Sequence, residues 1–338
     1  MSACDLLESL YERPKLRVDR GRRKDGTAVV LKRLTGDATP RARSRFRHEY
    51  ELLNKIDLPG VVGAFELEEK NDDLVMVLQD IGGESLEQLL ASNGKLSLEQ
   101  FLELATGLAE TLAGLYRLRI VHKAINPAHI IFNTDSGEFR LVGFGDAEEL
   151  AHSGLTLKPA MNSEENLAYI SPEQTGRMNR PIDYRTDFYS LGVTSYRILT
   201  GKLPFEADDA MGMIHSHIAK APIPPSELDP NIPRVVSDIV MKLMAKIADD
   251  RYQSGWGLKS DLDKCLGDFR KEGAIHPFEL GREDFSDQLR IPQKLYGRQK
   301  EIDRILQLFE RASAGESGLL LVAGYPGIGK TTLVPTHC

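Results

Sequence analysis

Ile120–Asn133, IVHKAINPAHIIFN, is the stretch from which the fold can be read. Upstream of it, Phe101, Leu102, Ala105, Leu108, Ala109, Leu112, Leu115 and Tyr116 recur at the spacing of a long helix from Leu98 to Tyr116 with a broad buried face. That helix delivers the chain to the stretch. Downstream, HIIFN and EFRLVGFG read as a short hairpin, so the polar centre is a loop held between a helix and a hairpin. The chemistry of this loop is sparse. The methyl group of Ala124 cannot accept a proton, and the imidazole of His129 is a poor ligand for a hard cation that prefers oxygen.

The chain has 338 residues, more than one average domain. Its 41% hydrophobic and 28% charged content fits a globular protein, and a net charge of −7 gives no general basic footprint for nucleic acid. Cys4, Cys265 and Cys338 are far apart and lack any CxxC or Cys/His spacing, so neither a disulfide framework nor a zinc site is expected. Acidic residues in MSACDLLESLYER stand where a signal peptide would be basic and apolar, and no apolar run approaches about 20 residues. These features imply a cytoplasmic chain without membrane insertion.

From Lys15 to Leu34, KLRVDRGRRKDG and TAVVLKRL alternate like two strands joined by a turn that holds Gly21 and Gly26. Arg20, Arg22, Arg23 and Lys24 crowd those glycines, as a phosphate-attracting or merely solvated hairpin. After Pro40, Phe46, Tyr50, Leu53 and Ile56 fall at the 3–4 spacing of an amphipathic helix. LVMVL, Leu74–Leu78, reads as a buried strand leading into QDIGGESLEQLL. Near the other end, the strand LLLVAG runs into GYPGIGKT, in which Gly324, Gly329, Lys330 and Thr331 satisfy the P-loop pattern G-x-x-x-x-G-K-[ST]. Parallel strands need cover on both faces, and Pro335 falls inside the helix that should follow, so a truncated product is expected here.

HKAINPAH resembles the catalytic loop H-R-D-L-x-x-x-N of eukaryotic-type protein kinases. The wording of AYISPEQTGRMNRPIDYRTDFYSLGV is similar to the N-terminal domain of large bacterial signalling proteins that join a Ser/Thr kinase, a P-loop ATPase and a sensor histidine kinase. The resemblance covers nearly the whole chain and implies an α+β, two-lobed protein kinase-like fold plus the truncated start of an α/β P-loop domain. The implied division is a kinase-like domain at 1–272, with a small lobe to about 80 and a large lobe beyond, a linker at 273–293, and an ATPase fragment at 294–338.

The resemblance also implies roles. Lys32, closing VVLK, would hold ATP phosphates and pair with Glu49, with Glu51 the competing partner. Leu78 would be the gatekeeper, and the backbone of Gln79–Ile81 would meet adenine. His122 would be architectural, as would Asp187 with Gly192, and Glu173 paired with Arg251 in the interior. Ala124, His129 and Gly143 stand where kinases carry the proton-accepting Asp, the magnesium-binding Asn and the DFG Asp. Asp146 lies three positions late and needs a rearranged loop to reach a metal. Ser153, Thr156 and Ser163 fall in the would-be activation segment.

ATP and signalling proteins are therefore the implied partners, and the replaced side chains argue against Mg²⁺. The expected function is that of a pseudokinase with a regulatory or scaffolding role. The alternatives are a Ser/Thr kinase of weak or unorthodox activity and a P-loop ATPase switch through Lys330.

Overall fold

The computed structural model describes residues 4–93, 96–150, 164–178 and 180–285, with Arg304 and Leu321 alone beyond them. The chain divides into two compact units, 1–285 and 286–338. The P-loop residues Gly324, Gly329, Lys330 and Thr331, and the hydroxyls at Ser153, Thr156 and Ser163, lie outside the described residues.

The first unit begins with an antiparallel sheet of five strands: β1 (Asp5–Arg13), β2 (Leu16–Arg22), β3 (Ala28–Leu34), β4 (Ala64–Lys70) and β5 (Asp73–Gln79), in the order β1-β2-β3-β5-β4. Alternation decides its faces. Val29 and Leu31 pack with Val77 on one side, which leaves Val30 and Lys32 on the other. The sequence reading has no counterpart to β1. It is an edge strand exposed along almost its whole length, with Leu6 and Leu7 open to solvent, so no buried face imposes a two-residue period on it.

That missing strand corrects the reading of the glycines. Gly21 pairs with Val29, which in turn pairs with Gln79, so Gly21 and Gly26 lie at the far end of β3 from Lys32. The turn at the Lys32 end joins β1 to β2 through Pro14 and Lys15 and contains no glycine. The basic cluster is spent locally. Arg20 binds Glu8 and Asp80, Arg22 donates to the Gly26 carbonyl, and Arg23 binds Glu66.

Helix α1 (Pro40–Leu53) crosses between β3 and β4. Thr39 caps it, accepting from the Ala42 N–H, and Pro40 takes a first-turn position where no N–H is needed. Phe46, Glu49, Leu52 and Leu53 are its buried residues. After the short β6 (Glu84–Ser85) and α2 (Leu86–Asn93), the central helix α3 (Leu98–Arg117) begins in a capping box of Ser97 and Gln100. It leads through β7 (Ile120–Val121) into the loop, then into β8 (Ile130–Phe132), β9 (Phe139–Leu141) and β10 (Glu148–Glu149). Five further helices complete the large lobe: α4 (Arg185–Thr200), α5 (Ala210–Ala219), α6 (Pro225–Leu228), α7 (Arg234–Leu243) and α8 (Gly255–Glu272). Gly192 of α4 approaches α7 closely, since a Cβ there would lie 2.8 Å from Leu243 and Met244.

One apolar core runs through both lobes, from Phe46 and Met76 through Leu108 and Phe144 to Leu191 and Val236. Part of the stretch expected as linker packs on the large lobe. Asp284 accepts from the Gln253 and Ser254 N–H groups at 2.7 and 2.8 Å, and Asp261 accepts from the Gly281 N–H at 2.7 Å. Among the described residues no helix is long and apolar enough to cross a membrane.

Candidate active site

The cleft between the lobes is built from β3 and α1 above and the loop after β7 below. Lys32 Nζ lies 2.7 and 2.8 Å from the two carboxylate oxygens of Glu49. Glu49 is buried where α1 faces the sheet, whereas Glu51 points to solvent, so helix periodicity selects the partner. Leu78 is buried at the end of β5, and the Gln79 N–H is already bonded to the Gly63 carbonyl at 2.8 Å. The Ile81 carbonyl accepts from Asn133 Nδ2 at 2.7 Å. A cavity of about 480 Å³ opens against this connection, walled by Arg20, Gly21, Gln79, Asp80, Ile81 and Gly82 among others.

Below, the Asp187 carboxylate accepts the backbone N–H groups of His122 and Lys123, both at 2.7 Å. These bonds hold Lys123 at φ 64°, a left-handed conformation that a non-glycine residue keeps only when its surroundings impose it. His122 Nε2 donates to the Val142 carbonyl at 3.0 Å, and its Nδ1 accepts from the Ala124 N–H at 3.3 Å. Burial pushes its pKa down to about 3, with His129 adding to the shift, so the ring is neutral. The neutral ring braces the loop. Burial likewise pushes Asp187 up, to about 7, against the lowering effect of the two N–H groups.

Ala124 is only 4% exposed, and its carbonyl receives His129 Nδ1–H at 2.7 Å. The His129 ring then lies against Gly143, which adopts φ 82°. Burial lowers the His129 pKa, and nearby Lys32 lowers it further. Asp146 is engaged by a base of the small lobe. Its carboxylate meets Arg45 of α1 at 2.6 Å.

A hard divalent cation needs several oxygen ligands. At the three positions where a kinase would supply carboxylate or amide oxygens, this chain presents a methyl group, an imidazole and a bare backbone. Among the described residues no group of three or more His, Cys, Asp or Glu could hold a metal ion. Ala124, His129 and Gly143 themselves offer such a cation no side-chain oxygen. The Lys32 ammonium held by Glu49 is a charge of the sign that suits an anion.

Residues 17–261 match the protein kinase domain family. The chain belongs to that family. Residues 294–338 match the AAA ATPase domain. The chain is 40% identical over 190 residues to hybrid signal transduction histidine kinase G of Dictyostelium discoideum, a match covering 50% of this chain and 6% of that protein. It is 32% identical over 247 residues to a probable serine/threonine-protein kinase of Streptomyces coelicolor, covering 71% of this chain and 36% of the relative. For serine/threonine-protein kinase PknB of Mycolicibacterium smegmatis the identity is 28% over 240 residues, covering 69% and 38%. The chain therefore spans well under half the length of these relatives.

Within this kinase domain some site residues escaped the sequence reading. Asn126 Nδ2 donates to Asn166 Oδ1 at 2.8 Å, tying the loop to the segment before Tyr169, while Asn126 Oδ1 caps the turn Pro127–His129. Lys123 Nζ donates to Glu148 of β10. The two asparagines are 40 positions apart, and neither stands out alone. The one signal available was the place of Asn126 in the loop, between Ala124 and His129.

Proposed function

We propose that this kinase domain binds nucleotide without transferring phosphate, and serves a regulatory or scaffolding role in signalling. The observation that carries this reading is the buried methyl group of Ala124. It stands at the position from which a kinase accepts the proton of the attacking hydroxyl. Loss of such a base alone costs about 10²–10⁴ in rate, and His129 and Gly143 remove the cation ligands as well. The Lys32–Glu49 pair supports retained nucleotide binding, with Leu78, Gln79 and Ile81 bordering the adenine.

We take the kinase-like domain as 1–272, the linker as 273–293 and 294–338 as the opening of an ATPase domain, with Gly324, Gly329, Lys330 and Thr331 as its phosphate cradle. The reading includes a cytoplasmic setting, and its signalling partners accord with the name of the Dictyostelium relative. A second reading, a Ser/Thr kinase of weak or unorthodox activity, is favoured by the names of the bacterial relatives.

Thermal shift of the whole chain in millimolar ATP, with Mg²⁺ or with EDTA, separates the two. It is run in a Lys330→Ala background to silence the second nucleotide motif. The expected result is a rise in Tm that Mg²⁺ does not alter and Lys32→Ala abolishes, since a ligand bound only by the folded state stabilises by RT ln(1 + [L]/Kd). Magnesium-dependent phosphate transfer to a protein acceptor, lost in Lys32→Ala, would establish the active kinase instead.

A further inference from the structure

The His129 ring is not free to swing. Its Nδ1–H is bonded to the Ala124 carbonyl, its own N–H to Asn126 Oδ1 at 3.1 Å, and its carbonyl to the Val142 N–H at 2.9 Å. In that orientation the ring stands over Gly143. A Cβ built at Gly143 would lie 2.5 Å from Cδ2, 2.7 Å from Nε2 and 2.8 Å from Cγ of His129. Real Cβ contacts are essentially never that short, and the crowding group is a pinned ring rather than the end of a flexible chain.

We propose that His129 and Gly143 form one plug, the ring occupying the volume that an acidic side chain at position 143 and its cation would need. The cleft therefore takes nucleotide phosphates free of divalent metal. The second clause rests on the nucleotide-binding reading above, whereas the plug itself does not. Two further observations agree. The Asp146 carboxylate is engaged by Arg45, and Lys32 is already oriented by Glu49. A consequence is that neither position can be restored alone. Asp at 143 clashes while the ring is present, and Asn at 129 has no acidic partner while 143 is glycine.

The test is a thermodynamic cycle on the whole chain with His129→Asn, Gly143→Asp and the double variant. The left-handed φ at 143 penalises Asp equally in both backgrounds, so that cost cancels. Gly143→Asp is expected to lower Tm by about 4 °C or more in excess when His129 is present, the scale of relieving an overpacked contact. In a Lys330→Ala background, the double variant alone should then show an ATP-induced Tm shift that Mg²⁺ enlarges. Equal costs of Gly143→Asp in the two backgrounds would overturn the plug. So would a Mg²⁺-dependent shift in the otherwise native chain that His129→Asn removes, because His129 would then be a ligand. If the excess cost is found but no variant responds to ATP, the plug stands and the nucleotide-binding reading fails.

Discussion

Arg251 has no exposed side-chain surface, and its guanidinium donates to the two carboxylate oxygens of Glu173 at 2.7 and 2.9 Å. Burial raises the Glu173 pKa, but Arg251, with the Glu173 N–H and the Thr186 hydroxyl, more than offsets this and the net shift is downward. A depressed carboxylate contributes stability above its unfolded pKa and loses it as pH falls through the folded value. Removing one partner leaves a buried charge alone, so Arg251→Ala should cost about 3–5 kcal/mol, measured by urea unfolding. Glu173→Gln should cost less, because its amide oxygen still accepts from Arg251. This pair and Lys32–Glu49 were legible in the sequence because each member sits in a recognisable local run. Asn126–Asn166 and His129–Gly143 were not, because each depends on a partner brought close only by folding.

The segment from Phe144 to Glu149 is held along its length by bases from other elements. Asp146 meets Arg45, the Ala147 carbonyl bonds His48 at 3.0 Å, Glu148 meets Lys123 and Glu149 meets Lys55 at 3.2 Å. Arg45 and His48 belong to α1, so this clasp ties the helix that carries Glu49 to the large lobe. Arg45 is 48% exposed, and a solvated pair of this kind is worth about 0–1 kcal/mol. Arg45→Ala should therefore leave global stability almost unchanged while amide exchange across residues 40–53 accelerates. Unaltered exchange there would mean that apolar packing of Phe46 and Leu52 holds the helix by itself. At this scale α1 and α3 could be read from apolar spacing, since each has one buried face. Strand β1 could not, because an edge strand with solvent on both faces leaves no such period.

At the scale of the whole molecule, the buried histidines work against stability in mild acid, opposing the raised carboxyl of Asp187. His217 is buried between α4 and α5, bonded to the Tyr189 hydroxyl at 3.0 Å, with Lys246 donating to its carbonyl. Burial, then Lys246, lowers its pKa from 6.5 to about 4, and His122 behaves likewise. The unfolded chain takes up these protons first, so the histidines' contribution is fully present above pH 6.5 and is lost as pH drops towards 4. Replacing His217 by Gln should reduce the slope of unfolding free energy against pH by up to about 1.4 kcal/mol per unit in that window. An unchanged slope would show that His217 is not neutral in the folded protein.

The path by which the chain leaves the first unit is linked, through Gln253, to the residues that frame its active-site loop. Asp284 grips the N–H groups of Gln253 and Ser254, and Gly257 lets it come so near, since a Cβ there would lie 2.4 Å from a carboxylate oxygen. Gln253 in turn accepts from Arg185 at 2.8 Å and from the Tyr184 hydroxyl at 2.6 Å, two residues beside Asp187. In mechanical terms the exit is a tether fastened to the frame that fixes His122 and Lys123. Tension arriving from beyond residue 285 would bear first on a carboxylate, not on the apolar core.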